Sequence, residues 1–415
     1  MNCVRWFVLA VVSIFASAAM AGGALPHQVY VWQRDWTPVV SEAVAAHATN
    51  FTEVAVLVAE VSWKKKIPQI TRASVDFSTL AKLACPIGLV LRIGPVKGEL
   101  ATNLPVVNFL TDLAASLVAE ARKNQVTPVE LQIDFDCATS KLDDYRAWLS
   151  VVQKQLAPLP VTITALPSWL ESAAFARLVA NSANYILQVH SLDKPTDITA
   201  PFFLCDPVAA KRAVARAGEI GVPFRVALPT YAYTVAFTAA GKFAGLSAEQ
   251  GRVWPGGTQL RAMSADPLAM SSLMQTWNTN RPPALRGVIW YRLPVAVDNL
   301  NWRWPTLAAI VAGREPRENF HAVARRVEPG LVEISLENTG ELDISSQLTL
   351  EARWSDAQLV AGDGLRGFDL VEQNNFTAKF QIQKSSFRLP AGEKQVVGWL
   401  RFDKPIEVQL EAKKF

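Results

Sequence analysis

Two aspartates separated by one residue stand at the end of an apolar stretch. In ELQIDFDCA (130–138), the polar residues Gln132, Asp134 and Asp136 alternate with apolar ones. Such alternation predicts a β-strand with its polar side chains on one side. Two carboxyl groups about 6.5 Å apart along a strand repel each other when ionised, which raises the pKa of one of them. The pair therefore predicts a carboxylic acid available as a proton donor.

Polar side chains recur late in several other apolar runs. They are Glu60, Arg92, Thr162, Thr164, Gln188, His190, Trp290 and Arg292. Where two share a run they are two positions apart, and so lie on one side of the strand. If that side faces inward, the strand ends meet at the face where (β/α)8 enzymes have their sites. In the alternative interpretation, Glu60 and Arg92 are an interior ion pair, and Gln132 and the two threonines are satisfied polar groups of the core.

Aromatic residues lie at or soon after the same run ends. They are Trp32, Trp36, Trp63, Trp169, Trp254, Trp290, Trp302, Trp304, Tyr231, Tyr233 and Tyr291. Flat apolar rings beside polar side chains suit a sugar. The pattern predicts a polysaccharide or oligosaccharide cleft in which Trp32 and Trp290 stack on sugar rings. Substituents of the sugar would be held by Arg92, Gln188, His190 and Tyr231, with Tyr291 and Arg292 beside them.

Eight apolar runs alternate with helix-like segments between residues 28 and 313. The runs are 28–32, 53–63, 87–94, 129–136, 161–167, 185–191, 224–233 and 287–294. Apolar residues at helical spacing fill 108–124, 141–156 and 206–221. This repeat predicts a (β/α)8 barrel over residues 22–315. The rival, a doubly wound open sheet, would usually carry an early glycine-rich phosphate turn, and the sequence has none.

Two further segments interrupt or follow the repeat. Residues 238–260 are too long for a plain connector and predict an insertion over the barrel mouth. After a charged linker, residues 316–415 have short alternating runs and turn signals, which predict a small antiparallel β-sandwich.

The N-terminal segment has the three parts of a secretory signal. Arg5 precedes an apolar run from Trp6 to Ala16, and the small residues Ala19 and Ala21 flank Met20 just before the expected cleavage site after residue 21. The alternative is an uncleaved anchor. No later run reaches the roughly 18 apolar residues of a membrane span. We therefore expect a periplasmic or secreted protein with residues 1–21 removed.

Composition argues against several other classes of protein. The net charge of +4 has no dense basic run, and Lys64–Lys66 reads as a solvated loop, so no nucleic-acid partner is predicted. The histidines are scattered along the sequence, and Cys85, Cys137 and Cys205 form no CxxC motif. Neither a metal site nor another cofactor is therefore predicted. One disulfide between two of these cysteines stays open, as does the oligomeric state.

Several phrases together resemble one family of exported bacterial proteins that contain a domain of unknown function. They are VYVWQRDW, VAEVSW, LVLRIG, LQIDFDC, ITALPSWL and LQVHS. More distantly, the end of the fourth run resembles that of family 18 chitinase-type glycoside hydrolases. In that family alternating acidic residues end in a catalytic glutamate, and the substrate's acetamido group is the nucleophile. Trp290 is similar to the tryptophan that floors the sugar site there.

The resemblance allows two registers. In one, Asp134 and Asp136 match the two aspartates before the glutamate, and the acid position falls on Ala138. In the other, Asp136 takes the acid's place, Asp134 supports it, and Gln132 fills an earlier aspartate position.

Two functional hypotheses follow. In the first, the protein is glycoside hydrolase-like, with Asp136 as general acid, Asp134 orienting it, and Glu60 as the second carboxylate. In the second, a non-catalytic barrel of the cell envelope binds glycan through the same cleft. A third, scaffold role would make the polar interior purely structural.

Overall fold

The computed structural model describes residues 23–96, 104–190, 195–200, 202–248, 252–345, 348–382 and 387–414. The segment predicted to be a secretory signal lies outside these residues. Up to residue 311 the elements are β1 (His27–Val31), α1 (Pro38–His47), β2 (Val54–Lys64), β3 (Ile67–Arg72), α2 (Phe77–Leu80), β4 (Ile87–Ile93), α3 (Leu104–Lys123), β5 (Glu130–Phe135), α4 (Leu142–Leu156), β6 (Val161–Ala165), α5 (Ala173–Val179), β7 (Tyr185–Gln188), α6 (Pro207–Ile220), β8 (Phe224–Pro229), β9 (Ala232–Phe237), β10 (Phe243–Ser247), β11 (Gln259–Ser264), α7 (Pro267–Thr279), β12 (Leu285–Tyr291) and α8 (Trp304–Val311).

Eight parallel strands form a closed barrel. Their order is β1-β2-β4-β5-β6-β7-β8-β12, and β12 pairs again with β1. An open doubly wound sheet would leave two free edges, so closure confirms the predicted (β/α)8 fold. Each of the eight predicted runs overlaps a barrel strand.

Local sequence signals fix the ends of two helices. The Asp206 carboxylate accepts a hydrogen bond from the amide of Val208 and caps α6, which ends at Gly221 with φ +78°. Asp266 caps α7 in the same way through the amides of Leu268 and Ala269. Both helices have proline at their first position, where its missing N–H costs nothing.

A hairpin extends β2 beyond the barrel. β3 runs antiparallel to β2 and, among the described residues, has no strand paired to its other side. The turn is made by Lys65 and Lys66, both in the left-handed region with φ of 50° and 68°. Ile67 and Ile70 on β3 are exposed.

The amino-terminal end of the barrel is filled by a buried ion network. Arg225 on β8 bonds both carboxylate oxygens of Glu130 at 2.8 Å and lies 3.5 Å from Glu53. Burial and the negative charge of Glu130 raise the pKa of Glu53 to about 8. Burial opposes the ionisation of Glu130 too, but Arg225 and a hydrogen bond from Thr162 lower its pKa overall. Two buried glutamates thus share one arginine.

Small residues make room for this network. A Cβ on Gly88 of β4 would lie 2.5 Å from Oε1 of Glu53. Above the network, the barrel interior holds a small apolar cluster, which we call the inner cluster. Its buried residues are Tyr30, Ala55, Val90, Ile186, Ala227 and Ile289. Gln132, Thr162 and Thr164 are buried with hydrogen-bond partners, as the structural interpretation of these residues predicted.

The insertion after β8 is a three-stranded antiparallel sheet in the order β10-β9-β11. It follows the carboxyl end of a barrel strand, so its first residues start at the barrel mouth. Tyr233 and Ala248 from this insertion line the cleft described below.

The C-terminal region is built from two four-stranded antiparallel sheets. Its strands are β13 (Phe320–Glu328), β14 (Leu331–Asn338), β15 (Leu348–Arg353), β16 (Leu359–Gly364), β17 (Phe368–Gln373), β18 (Thr377–Ile382), β19 (Lys394–Phe402) and β20 (Gln409–Lys414). The sheets are β13-β14-β19-β16 and β17-β18-β15-β20. At Gly398 a Cβ would lie 2.6 Å from the Phe380 ring, so the two sheets approach closely there. This is the predicted sandwich, and the predicted boundary at residue 315 falls between α8 and β13.

One described helix, α3, is long and apolar enough by length and composition to cross a membrane. Half of its most apolar window is buried. Leu110, Leu113 and Leu117 are among its buried residues and belong to the barrel core.

Candidate active site

Asp134 is a buried carboxylate at the carboxyl end of β5, 2% exposed. Its Oδ1 accepts hydrogen bonds from the Thr164 hydroxyl at 2.8 Å and from the Gln188 amide at 3.2 Å. Arg92 approaches Oδ2 at 3.5 Å. Neighbouring strands β4, β6 and β7 therefore each supply one partner and fix the carboxylate in a single orientation.

Asp136 lies one residue beyond the end of β5 and is exposed at the rim. The protein around its carboxyl group, together with the negative charge of Asp134, raises the pKa of Asp136 to about 6. The nearby positive charge of Arg92 acts in the opposite direction. The two carboxylates thus have different environments: one is locked by hydrogen bonds, and the other is able to take up a proton near neutral pH.

Arg92 and Glu60 stand opposite each other on β4 and β2, but they do not form the predicted ion pair. Arg92 bonds Asp134, and its guanidinium lies 5.9 Å from the centre of the Trp32 ring. Glu60 instead pairs with Arg34 at 2.5 Å. The ion-pair prediction named the wrong partners because Arg34 follows β1 in a loop whose course the strand pattern does not specify.

Aromatic rings from several strands cover the inner cluster at the mouth. Tyr291 packs edge-on against Trp32 and Tyr231, with ring centres 4.9 and 5.2 Å away, and stacks on His190 at 5.4 Å. His190 Nδ1 and the Tyr231 hydroxyl share a hydrogen bond of 3.2 Å. Burial lowers the pKa of His190 to about 4, so its ring is neutral at physiological pH. Within the described residues, its buried Nε2 has no hydrogen-bond partner.

A cleft of about 480 Å³ opens beside these rings. Its walls include Trp32, Glu60, Tyr231, Tyr291 and Arg292. The Arg292 guanidinium bonds the buried Asp298 at 3.0 Å. Aromatic faces next to charged and hydroxyl groups give this cleft the surface chemistry that a sugar ring requires.

Trp290 does not reach the mouth, so the prediction that it stacks on a sugar is wrong. Its side chain is fully buried in the outer core, where its indole N–H donates to His27 Nδ1 at 2.9 Å and its ring packs on Trp302. Tyr291, the next residue, faces the inner cluster instead. The predicted parity of this strand was off by one residue, and Arg292 reaches the cleft because it lies beyond the strand end.

Sequence reasoning missed three charged residues of the cleft wall, Arg34, Asp35 and Asp298. Arg34 and Asp35 follow β1 directly, and a charged pair just after a barrel strand is a usable signal. Asp298 lies in the middle of the loop between β12 and α8, and nothing in its spacing marks it.

The three cysteines of the described chain are all free. Cys137 follows Asp136, and burial raises the pKa of its thiol to about 12. A thiol with this pKa is not ionised at neutral pH and is a poor nucleophile. Cys137 is therefore not a candidate nucleophile at the barrel mouth.

Comparison with known proteins places the chain in a family. Residues 86–296, a little more than half of the chain, match the family described as Domain of unknown function (DUF3142), and the protein belongs to that family. Residues 321–403 of the sandwich match Domain of unknown function (DUF8456). The search of curated proteins found no match.

Solved structures with a similar course of the chain include two chitinases and a spore cortex-lytic enzyme. A chitinase from Bacillus thuringiensis is 11% identical with a TM-score of 0.43, covering 94% of this chain and all of its own. The spore cortex-lytic enzyme SleL of Bacillus megaterium is 13% identical with a TM-score of 0.49, covering 71% of this chain and 74% of its own. A chitinase from Chromobacterium violaceum is 14% identical with a TM-score of 0.48, covering 70% and 98%. Similarity this distant does not identify the chemistry of the present barrel.

Proposed function

We propose that this protein is a glycoside hydrolase-like enzyme acting on a polysaccharide or amino-sugar glycan. Asp136 is the general acid, Asp134 orients it and tunes its pKa, and Glu60 is the second carboxylate. The observation that carries the proposal is the unequal pair at the end of β5. Asp134 has three partners, whereas Asp136 is exposed with a pKa of about 6.

A general acid works best when its pKa lies near the working pH. Asp136 meets this condition at the carboxyl-terminal face, where barrel enzymes have their sites. The second carboxylate, Glu60, is two strands away on β2 and opens into the cleft. The separation of the two carboxyl groups in the substrate complex would decide whether the anomeric configuration is retained or inverted.

Glycan recognition is proposed for the aromatic cleft. Trp32, Tyr231 and Tyr291 line this cleft and would offer rings and hydroxyls to a sugar. His190 and Gln188 do not line it, and they would contribute through their hydrogen bonds to Tyr231 and Asp134. Arg92 and Arg292 would hold hydroxyls or charged substituents through their guanidinium groups, each of which carries five N–H donors.

The second candidate is a glycan-binding barrel without catalysis. One observation favours it: when the two aspartates are aligned with those of chitinase-type enzymes, the acid position falls on Ala138. In that case Asp136 contributes to binding, and no bond is broken.

The test is a screen of the purified mature protein against bacterial and plant glycans, scored separately for binding and for reducing-end release. The enzyme proposal expects both signals in the wild type. In Asp136→Asn, turnover should fall by about 10²–10⁴-fold, the usual contribution of a general acid, while binding is kept. Asp369→Asn, an equivalent change on the exposed face of β17, serves as the matched control.

The outcomes separate the candidates. Unchanged turnover in Asp136→Asn would remove Asp136 from the acid role. Binding by the wild type with no product released, and equal binding by Asp136→Asn, would favour the non-catalytic barrel.

A further inference from the structure

The segment between β12 and α8, residues 292–303, forms one wall of the cleft; we call it the mouth loop. Arg292 and Asp298 line the cleft directly. Although it is a loop, several of its residues are buried, among them Leu293, Val295 and Asn301. Such burial requires partners for its backbone polar groups.

The Asp298 carboxylate accepts hydrogen bonds from three other residues of the mouth loop. One carboxylate oxygen accepts from the Arg292 guanidinium at 3.0 Å. The other accepts from the amide of Val295 at 3.2 Å and from the side chain of Asn301 at 3.1 Å. The position of the Arg292 guanidinium in the cleft therefore depends on where Asn301 and Asp298 are held.

The sandwich holds the mouth loop from the other side. Arg388 donates one guanidinium nitrogen to the carbonyl of Asn299 and the other to the carbonyl of Asn301 at 3.0 Å. Its Nε donates to Asp343 at 2.6 Å, which orients the guanidinium from within the sandwich. A second link joins Arg303 of the loop to Glu393 at 3.5 Å.

We propose that Arg388 is a positioning residue for the cleft. Its hydrogen bonds to the carbonyls of Asn299 and Asn301 fix the position of Asn301. Asn301 in turn holds the Asp298 carboxylate, and Asp298 holds the Arg292 guanidinium. Arg388 itself lines a separate cavity between barrel and sandwich and does not line the cleft. The sandwich is thus a structural part of the site and not a detachable binding module. This inference holds whether the cleft cleaves a glycan or only binds one.

The geometry also explains why an arginine is needed. A planar guanidinium can donate to two carbonyls and a carboxylate at the same time, whereas a lysine ammonium cannot span this arrangement. Arg388→Lys should therefore keep the charge and lose part of the positioning. Comparing Arg388→Lys with Arg388→Ala therefore separates the effect of the guanidinium geometry from that of the positive charge.

The test follows hydrogen–deuterium exchange of the full-length protein and the reaction of Arg292 with phenylglyoxal, both read by mass spectrometry. In Arg388→Ala, amides of residues 293–303 should exchange about tenfold faster or more, as expected for losing hydrogen bonds to a charged group. Arg292 should react faster, while the amides of β4 and β5 remain unchanged. Arg388→Lys should be intermediate, and Arg326→Ala, at an exposed arginine of β13, should behave as the wild type.

Unchanged loop exchange and unchanged Arg292 reactivity in Arg388→Ala would overturn the proposal. A uniform rise in exchange across the barrel would overturn it as well, because it would show a general stabilising role. If Arg388→Ala does not fold, Arg388→Lys decides on the same two readouts. Asp298→Asn should raise the reactivity of Arg292 but leave the amides around Arg388 protected. No step needs a glycan, so a failed glycan screen leaves this result unaffected.

Discussion

Asp134 and Asp136 are the same residue type two positions apart, yet they are fitted for different tasks. Asp134 is enclosed and has donors from three strands, so its carboxylate is a fixed part of the barrel interior. Asp136 stands past the strand end, where one face meets water. The difference comes from where β5 stops, since one further residue of strand would have placed both carboxyl groups under the same constraints.

This difference predicts opposite effects on stability. Asp134→Ala leaves Thr164, Gln188 and Arg92 without their acceptor and should lower the free energy of unfolding by about 2–4 kcal/mol. Asp136→Ala should instead raise it above about pH 6, because folding raises the pKa of this carboxyl and its ionisation therefore weakens the folded state. Urea unfolding of both variants measures this. Equal losses would contradict the separate roles assigned to the two carboxylates.

The titration of Asp136 offers a second check at the residue scale. Its carboxyl group is protonated below pH 6 and ionised above it, so any turnover that needs the acid should fall as the pH rises through about 6. Because Arg92 lowers the pKa of Asp136, Arg92→Gln should move this midpoint upward. Carbon-13 NMR of labelled aspartate carboxyls, assigned with Asp136→Asn, measures the shift. A midpoint that stays or falls in Arg92→Gln would contradict the described electrostatics.

At the scale of elements, the barrel strands were predictable because each is a β-branched run bounded by polar or turn residues. Inward-facing positions were correctly inferred on the strands that carry Arg92, Asp134 and Gln188, since a polar residue marked the side. On β12 the segment GVIWY is apolar on both faces, as expected of a strand buried between barrel interior and helices. Arg292, which was taken to mark the inward side, lies beyond the strand end. Trp290 was misplaced for that reason.

Other parts of the site depend on chain geometry that the sequence pattern does not encode. The β2–β3 hairpin has Lys65 and Lys66 in its turn, where Asn-Gly would have signalled one. Arg34 and Asp298 sit in loops whose direction follows from tertiary packing. The buried Glu53 also escaped notice, because it precedes its strand and its partners come from distant segments.

The ion network at the amino-terminal end of the barrel predicts a dependence of stability on pH. The pKa of Glu53 is about 8 in the folded protein and about 4.3 in an unfolded chain. The folded state therefore keeps a proton that the unfolded state has lost, and stability decreases as the pH rises from about 4.5 to 8. Glu53→Gln removes this decrease, so the advantage of the variant over the wild type should grow across that range.

Urea unfolding at several pH values between 5 and 8 measures the effect. Glu407→Gln, the same substitution at an exposed position, should track the wild type throughout. A difference between Glu53→Gln and the wild type that does not change with pH would show that Glu53 is ionised in the folded protein.

At the scale of the whole molecule, barrel and sandwich are joined by several polar contacts. Besides those of Arg388, the hydroxyl of buried Thr306 donates to the Glu341 carbonyl at 2.5 Å, and Arg314 pairs with the Glu341 carboxylate. These contacts flank α8, the last helix of the barrel. They join the last barrel helix to the loop that follows β14.

The N-terminal segment predicts that the protein is exported. When it is expressed with its N-terminal segment in a Gram-negative host, the mature protein should begin at Gly22 and be found in the periplasm or the medium. Ala21→Leu should block cleavage by removing the small residue at the site. N-terminal sequencing of the exported protein measures this. A full-length product retained at the membrane would favour the uncleaved anchor.

The free outer edge of β3 has a consequence for how copies of this protein meet. An uncovered strand with two exposed isoleucines offers backbone groups to which a second molecule could add its own strand. Three consecutive lysines at the adjoining tip place like charges where two such edges would have to align. The hairpin thereby carries its own protection against edge-to-edge aggregation, and that protection weakens as salt screens the lysines.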